Sequence, residues 1–437
     1  MKRAITAHLN QWKNNNHLKP LLIHGGRQVG KTHVIEEFGK TAFGSKFIKF
    51  DFERDFKLSK IFQGDLSMSE IIPQLEVYSE KSIIDCETLI FFDEIQECPN
   101  AIRALRYFYE ERPKLHVIAA GSLLDFSLDE ISFPVGRVKN LTVHPMTFNE
   151  FLEATGNMLL LNILSGPPRT LKAMEHEKAL SEYKKYLLVG GLPEAVKIFA
   201  ETGSYLKTHE VQRDLAKMYQ DDFGKYAGRA SIECLREVFV ALSNKITSVI
   251  KYSDLSGEYG IPTVKHSVKL LTKAKIINKV YNTNPHGLPL GASSQKNLFK
   301  AVFLDIGIIH GLCGRIAPEL LSHEYLLDAH QGNLGEQMIG QSLVASTDDE
   351  IFCWHRQERS STAQVDFIIA KDGKILPVEV KSGNVAKLKS LHMFLDTYSK
   401  LAKTGYCFSL SPYEKISFDG REIVKLPAYW CAGPWWE

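Results

Sequence analysis

The sequence predicts an α/β multidomain protein. A parallel-sheet domain surrounds a phosphate-binding loop and is followed by a helical lid, a winged helix and a second α/β domain. Three observations carry this reading. Gly25-Gly26-Arg27-Gln28-Val29-Gly30-Lys31-Thr32 fits G-x-x-x-x-G-K-[ST]. Leu89-Ile90-Phe91-Phe92-Asp93-Glu94 is an apolar run that ends in two acids. Far downstream, Val365-Asp366-Phe367 and Glu379-Val380-Lys381 flank an Asp372-Gly373 turn.

Length and composition set the frame. A chain of 437 residues calls for two to four domains. Apolar content of 44% and charged content of 24% are those of a folded, water-exposed protein. The net charge of +2 points to no partner, so nucleic-acid binding must come from local patches. Seven scattered cysteines form no C-x-x-C pair, which argues against zinc and suits a reducing compartment. The N-terminal residues carry no apolar signal segment, and no run approaches the roughly 18 apolar residues of a membrane span. These features predict a cytoplasmic protein without a membrane partner.

The elements of the first domain (1–148) follow in order. Residues 4–13 predict a short helix. Leu21-Leu22-Ile23 reads as a strand entering the glycine loop, and Val34 to Phe38 as the helix leaving it. Strand, loop and helix N-terminus are what phosphate binding needs. Backbone N–H groups of Gly25, Gly26, Arg27, Gln28, Val29 and Gly30 can turn toward phosphate oxygens, and the helix dipole adds to them. Lys31 should reach the β- and γ-phosphates, and the Thr32 hydroxyl should ligate Mg²⁺. Lys46 to Phe52 alternates as a strand, and residues 56–80 read as irregular helix. The run ending in Asp93-Glu94 reads as a strand buried on both faces, with its acids at the ligand-binding carboxyl end. Asp93 would hold Mg²⁺, and Glu94 would orient or deprotonate the attacking water. A helix opened by Pro99 spans 99–112. His116 to Ala120 forms the next strand, leading to Ser122, which can sense the γ-phosphate or the water. Val138 to Val143 is a fifth strand. Arg137, just before it, could complete a nucleotide site in cis or in a neighbouring subunit.

These motifs, together with Phe50-Asp51-Phe52-Glu53, Ala120-Gly121-Ser122, Gly136-Arg137 and Pro145-Met146-Thr147-Phe148-Asn149-Glu150-Phe151, occur in family order. Over nearly its whole length the chain resembles the prokaryotic AAA-type ATP-binding proteins that carry a C-terminal domain of unknown function. The resemblance implies ATP binding.

Residues 149–230 are helical in pattern and predict the lid. Gly190-Gly191-Leu192-Pro193 resembles a signature that signalling-type ATPases place beside the nucleotide base, and it also reads as a plain turn between helices. Residues 231–290 fit a winged helix. Helices are expected at Ile232–Leu242, from Ser253, and from Pro262, and Ile276 to Tyr281 is the first wing strand. Lys265, Lys269 and Lys273 form a stripe that could lie along phosphates or simply face water.

The last domain, 291–437, holds the second constellation. Ala301 to Ile309 is an apolar segment, and Gly332 opens a helix that runs through Leu343. A two-residue Asp372-Gly373 loop places Asp366 opposite Glu379, with Glu379 and Lys381 on one face. Opposed carboxylates repel, and a divalent cation would relieve the repulsion. Asp followed by Glu-x-Lys on the partner strand resembles the PD-(D/E)XK nuclease superfamily, whose fold is restriction-endonuclease-like. The resemblance implies metal binding by Asp366 and Glu379, with Glu336 a further acid and Lys381 positioning the water. Pro377 suggests an edge strand or a bulge. Trp430, Trp435 and Trp436 read as the cap of a core, with stacking on bases the alternative.

The function these features predict is a Mg²⁺-dependent ATPase whose nucleotide state gates a nuclease-like domain acting on or binding DNA. The alternative is a nucleotide switch or scaffold with an inactive nuclease-like domain. A homo-oligomer and a separate protein partner both stay open.

Overall fold

The computed structural model describes the chain except residues 16, 123, 128–135, 228–230, 314–330, 348, 349, 359, 360, 382–387, 434 and 437. Contacts divide it into two units. One comprises residues 1–144 with 273–275, and the other 145–272 with 276–437.

The first unit is a five-stranded sheet of β1 (Leu21–His24), β2 (Phe47–Asp51), β3 (Leu89–Asp93), β4 (His116–Ala120) and β5 (Lys139–Thr142). The order is β2-β3-β4-β1-β5, and every pairing is parallel. All carboxyl ends therefore open on one edge, where ligands of such sheets bind. Burial explains the apolar strands: every residue of β3 and of β4 is buried. Phe92 faces Phe50, Phe52, Phe62 and Phe108 with ring centroids within 5.8 Å. Phe91, one residue earlier, points to the other face and stacks on Phe47. Helices Lys31–Phe43 and Pro99–Glu111 follow the expected pattern, the latter starting with its proline.

The second unit starts at Pro145, so residues 145–148, which the sequence reading put in the first domain, cluster with the second unit. The reason is local. The Met146 N–H donates to the Gly191 carbonyl at 2.6 Å, and the Tyr186 hydroxyl donates to the Met146 carbonyl at 2.6 Å. Its sheet comprises β6 (Ile277–Thr283), β7 (Ser294–Phe303), β8 (Phe352–Glu358), β9 (Ser361–Lys371), β10 (Lys374–Val380), β11 (Thr404–Ser409), β12 (Glu414–Phe418) and β13 (Arg421–Pro427). The order is β12-β13-β11-β10-β9-β8-β6-β7, with parallel and antiparallel pairings mixed. The strand expected as a wing, β6, pairs with β7 and also with β8, so it belongs to this larger sheet. Helices Ile232–Asn244 and Ile261–Lys273 lie where the winged-helix reading puts helices.

Helices expected as a separate lid share one core with this sheet. Phe148, Phe151, Tyr183 and Tyr186 cluster with Met338, Phe367, Trp430 and Trp435. Trp430 and Trp435 are thus core residues. The apolar segment 301–309 is two elements. β7 ends at Phe303, and the Asp305 carboxylate caps helix Ile306–Leu312 by accepting from Gly307 N–H at 2.8 Å.

Gly190-Gly191-Leu192-Pro193 connects helices Ala173–Val189 and Pro193–Thr202. The Gly191 N–H donates to Asp305 Oδ2 at 2.7 Å, and Gln341 Nε2 donates to the same oxygen at 2.9 Å. Gly190 has φ +75°, and a Cβ there would lie 2.3 Å from Asp305 Oδ1. A Cβ on Gly191 would lie 2.2 Å from the Met146 carbonyl oxygen. Both glycines are required by close approach. Burial pushes the Asp305 carboxyl up to about 6, against the pull of the N–H groups of Gly191 and Gly307.

Candidate active site

The phosphate-binding loop joins β1 to helix Lys31–Phe43, and its shape depends on Gly25 and Gly30. Gly25 has φ +141°, and a Cβ there would lie 2.3 Å from the Val143 carbonyl oxygen; Gly30 has φ +87°. Lys31 is 7% exposed, and its ammonium donates to the carbonyls of Gly25 at 2.9 Å and Gly26 at 2.7 Å. That holds the charge over the loop. Burial lowers the Lys31 pKa to about 8, with Arg27 adding to the effect and the carboxylates of Glu94 and Asp93 opposing it. Arg3, which the sequence reading passed over, braces the loop: it donates to the Val29 carbonyl at 2.8 Å and to the His144 carbonyl at 2.6 Å.

Thr32 and Asp93 meet here although 61 residues separate them. The Thr32 hydroxyl lies 3.1 and 3.2 Å from the two Asp93 oxygens. Two hard oxygen ligands at the edge of a phosphate loop fit Mg²⁺, and those residues would hold it. Asp93 is 4% exposed, and burial raises its pKa, opposed chiefly by Lys49. Lys49, on β2, is a second residue the sequence reading passed over. Its ammonium lies 2.8 Å from Asp93 Oδ2 and 3.0 Å from Glu36 Oε1. Burial works against the Lys49 charge, but Asp93 and Glu36 outweigh it and raise its pKa. The alternation of β2 could have flagged Lys49, since it shares a side with Asp51.

Strand order brings Ser122 to Glu94. β4 lies between β1 and β3, so Ser122, which follows β4, stands between the loop and the acids. Its hydroxyl donates to Glu94 Oε2 at 3.2 Å, and its N–H donates to the same oxygen at 3.3 Å. Gln96 Nε2 donates there as well, at 2.6 Å. Glu94 has φ +48°, a costly conformation for a side-chain-bearing residue, of the kind that concentrates at functional sites. Arg137 is elsewhere. It precedes β5, at the amino end of a sheet whose ligand edge is carboxyl, and it pairs with Glu110 at 3.0 Å. The reading of Arg137 as a residue completing this site in cis is therefore corrected.

The second constellation lies on the β9–β10 hairpin. Asp372 (φ +50°) and Gly373 (φ +74°) make the turn, and the ladder pairs Lys374 with Lys371 through Val378 with Phe367. That register carries Asp366 to the level of Glu379 and Val380, and Asp366 Oδ2 accepts from the Val380 N–H at 2.9 Å. Lys381 pairs with Glu379, so the face expected from the pleat forms. β10 is an inner strand between β9 and β11. The edge or bulge expected from Pro377 does not occur, because the ladder with β11 begins only at Val378.

A further residue enters this site. Lys300, on β7, is 1% exposed, and its ammonium lies 2.7 Å from Glu336 Oε1 and 3.4 Å from Asp366 Oδ1. Gln364 Nε2 also donates to Asp366 Oδ1, at 3.2 Å. Burial works against the Lys300 charge, but Glu336 and Asp366 overcome it and hold the amine protonated. Burial pushes the Glu336 carboxyl up to about 7; Asp366 adds to this and Lys300 opposes it. Burial likewise raises Glu379, with Lys381 opposing. Among the described residues, no group of three or more His, Cys, Asp or Glu side chains is arranged to hold a metal ion. Within the expected metal set of Glu336, Asp366 and Glu379, the cation between Glu336 and Asp366 is Lys300. A lone lysine inside the apolar run Leu298–Leu304 was the clue in the sequence.

Comparison with known proteins gives three family matches along the chain. Residues 17–152 match a family described as an AAA domain. Residues 180–319 match a domain of unknown function (DUF8612), and residues 331–429 another (DUF4143). Similar solved structures include the Aeropyrum pernix ORC1 protein in complex with DNA (12% identity, 74% of this chain and 95% of that chain, TM-score 0.32). AMPPCP-bound DnaA from Aquifex aeolicus has 13% identity over 62% of this chain and 88% of that one, with a TM-score of 0.30. The Thermotoga maritima RuvB Holliday junction branch migration motor has 13% identity over 63% and 87%, with a TM-score of 0.31. Similarities this distant assign no function. No curated protein matches the chain. The stretch that matches the AAA domain, residues 17–152, takes in all five strands of the first unit and its phosphate-binding loop. No helix among the described residues is long and apolar enough to cross a membrane.

Proposed function

We propose that the protein is a Mg²⁺-dependent ATPase catalysing ATP + H₂O → ADP + phosphate, and that its nucleotide state controls what the second unit binds. The observation that carries the ATPase reading is the meeting of Thr32, Asp93, Glu94 and Ser122 at the carboxyl edge of one parallel sheet, beside Lys31. Backbone N–H groups of residues 25–30 and the Lys31 ammonium bind the phosphates. Thr32 and Asp93 would hold Mg²⁺, which would supply charge neutralisation at the phosphoryl oxygens. Glu94 takes the proton of the attacking water, and Ser122 and Gln96 aim its carboxylate.

For the second unit we favour binding of DNA without cleavage. The pairing of Asp366 and Glu336 with Lys300 supports the absence of cutting. The exposed lysines Lys265 and Lys269 on helix Ile261–Lys273, whose other face buries Val264, Val268 and Leu271, support a phosphate-facing surface. Within this reading the helices up to residue 230, the 231–290 segment and the C-terminal segment act together as the responding part.

The test is phosphate release by wild type, Lys31→Ala and Glu94→Gln, with DNA retention measured in ATP and in ADP. Turnover equal in wild type and Lys31→Ala would sink the ATPase reading. Metal-dependent DNA cleavage by wild type that vanishes in Asp366→Ala would replace binding by cutting.

A further inference from the structure

We infer that Lys300 is the resident cation of the acidic cluster in the second unit, a tethered ammonium in the place a nuclease-like site gives to a divalent metal. The cluster joins Glu336 from helix Gln331–Ser346, Asp366 from β9, and Glu379 with Lys381 from β10 and its end. Lys300 reaches it from β7 and is itself all but fully buried.

Charge decides the occupancy. Counted as fully ionised, three carboxylates against two ammonium groups leave a single negative charge, and the upward shift of Glu336 can only reduce it. A divalent cation added to that set would overshoot to a net positive charge inside a low-dielectric site. Both Asp366 oxygens already have partners. Oδ1 accepts from Lys300 and Gln364, and Oδ2 accepts from the Val380 N–H. Without Lys300, two negative charges would remain and a divalent ion would balance them. One oxygen is open to such a partner: Glu379 Oε2 is buried and has no hydrogen-bond partner among the described residues. The cluster is thus a latent metal site closed by its own lysine.

The test is Mn²⁺ binding to the nucleotide-free full-length chain, read by the loss of the free Mn²⁺ EPR signal. Asp93→Asn is present throughout to silence the first unit's carboxylate. With Lys300 in place, millimolar Mn²⁺ should stay free of this cluster. Lys300→Ala should gain one bound Mn²⁺ per chain, and adding Glu379→Gln should remove it. The inference is overturned if the chain with Lys300 binds an ion that Glu379→Gln releases, or if folded Lys300→Ala gains none.

Should Lys300→Ala fail to fold, Lys300→Met is compared alone and with Glu336→Gln. Stranding buried carboxylates is destabilising, so Glu336→Gln should restore most of the lost melting temperature. Equal losses in both backgrounds would also overturn the inference. None of these readouts depends on ATP turnover, so the result stands apart from the ATPase reading.

Discussion

Lys49 Nζ on β2 lies 2.8 Å from Asp93 Oδ2 on β3, so the carboxylate that would serve Mg²⁺ already has a cation beside it. The pair is set by register: Asp51 is opposite Asp93 and Lys49 opposite Phe91, and the lysine leans along the strand to reach the acid. A lysine here opposes the upward shift that burial gives Asp93, but it also repels an incoming metal ion.

Removing that repulsion should tighten metal use. Lys49→Met is expected to lower the Mg²⁺ concentration for half-maximal ATP turnover by about fivefold, a modest effect because Lys49 is partly solvent-screened. The measurement is turnover against free Mg²⁺ at saturating ATP. A higher requirement would show that Lys49 helps the metal bind.

Glu94→Gln keeps the shape and removes the proton acceptor. Turnover should fall by about 10²- to 10⁴-fold while ATP binding persists, seen as retention of labelled ATP on a filter. Ser122→Ala frees one side of the Glu94 carboxylate and should cost about tenfold in turnover with little change in ATP affinity. Loss of ATP affinity in Ser122→Ala would assign Ser122 to phosphate binding.

The Lys31 pKa of about 8 fixes a pH dependence. Phosphate favours the charged amine, so its pKa in the ATP complex is higher than in the free protein. Below pH 8 the amine is charged in both states, and affinity is flat on this account. As pH rises through 8, binding must take up a proton, and affinity should fall by up to about tenfold per pH unit. Calorimetric titrations in buffers of different ionisation enthalpy would read the proton uptake. Lys31→Arg, whose charge does not titrate, should abolish it.

Gly191→Ala should destabilise the second unit by about 3 kcal/mol, since its methyl would meet the Met146 carbonyl, and backbone there has nowhere to move. Gly203→Ala is the control: it tests a positive φ with open space around it and should cost about 1 kcal/mol. Chemical unfolding of the variants measures both. Equal costs would show that the Asp305-anchored turn yields.

Much of the candidate sites was legible because it is local. The eight residues of the loop, the apolar run of β3 and the Asp372-Gly373 turn each declare a geometry within a few residues, and the hairpin register followed from the turn alone. What was missed arrives across strands. Lys300, Lys49 and Arg3 have nothing in their immediate neighbours that names their partners. Arg137 was misjudged for the same reason: its place at the amino end of the sheet is a property of strand direction, which a lone Gly-Arg pair does not encode.

By itself, the sequence determined that a phosphate loop, two acids on a buried strand and an Asp/Glu-x-Lys hairpin exist, because spacing and periodicity dictate backbone path and side-chain face. Only the tertiary structure decided how the charges balance. Thr32 and Asp93 converge with Lys49 beside them, while Asp366 and Glu336 enclose Lys300. Electrostatic energy depends on distance and burial, and both are settled only when strands far apart in the chain pack side by side.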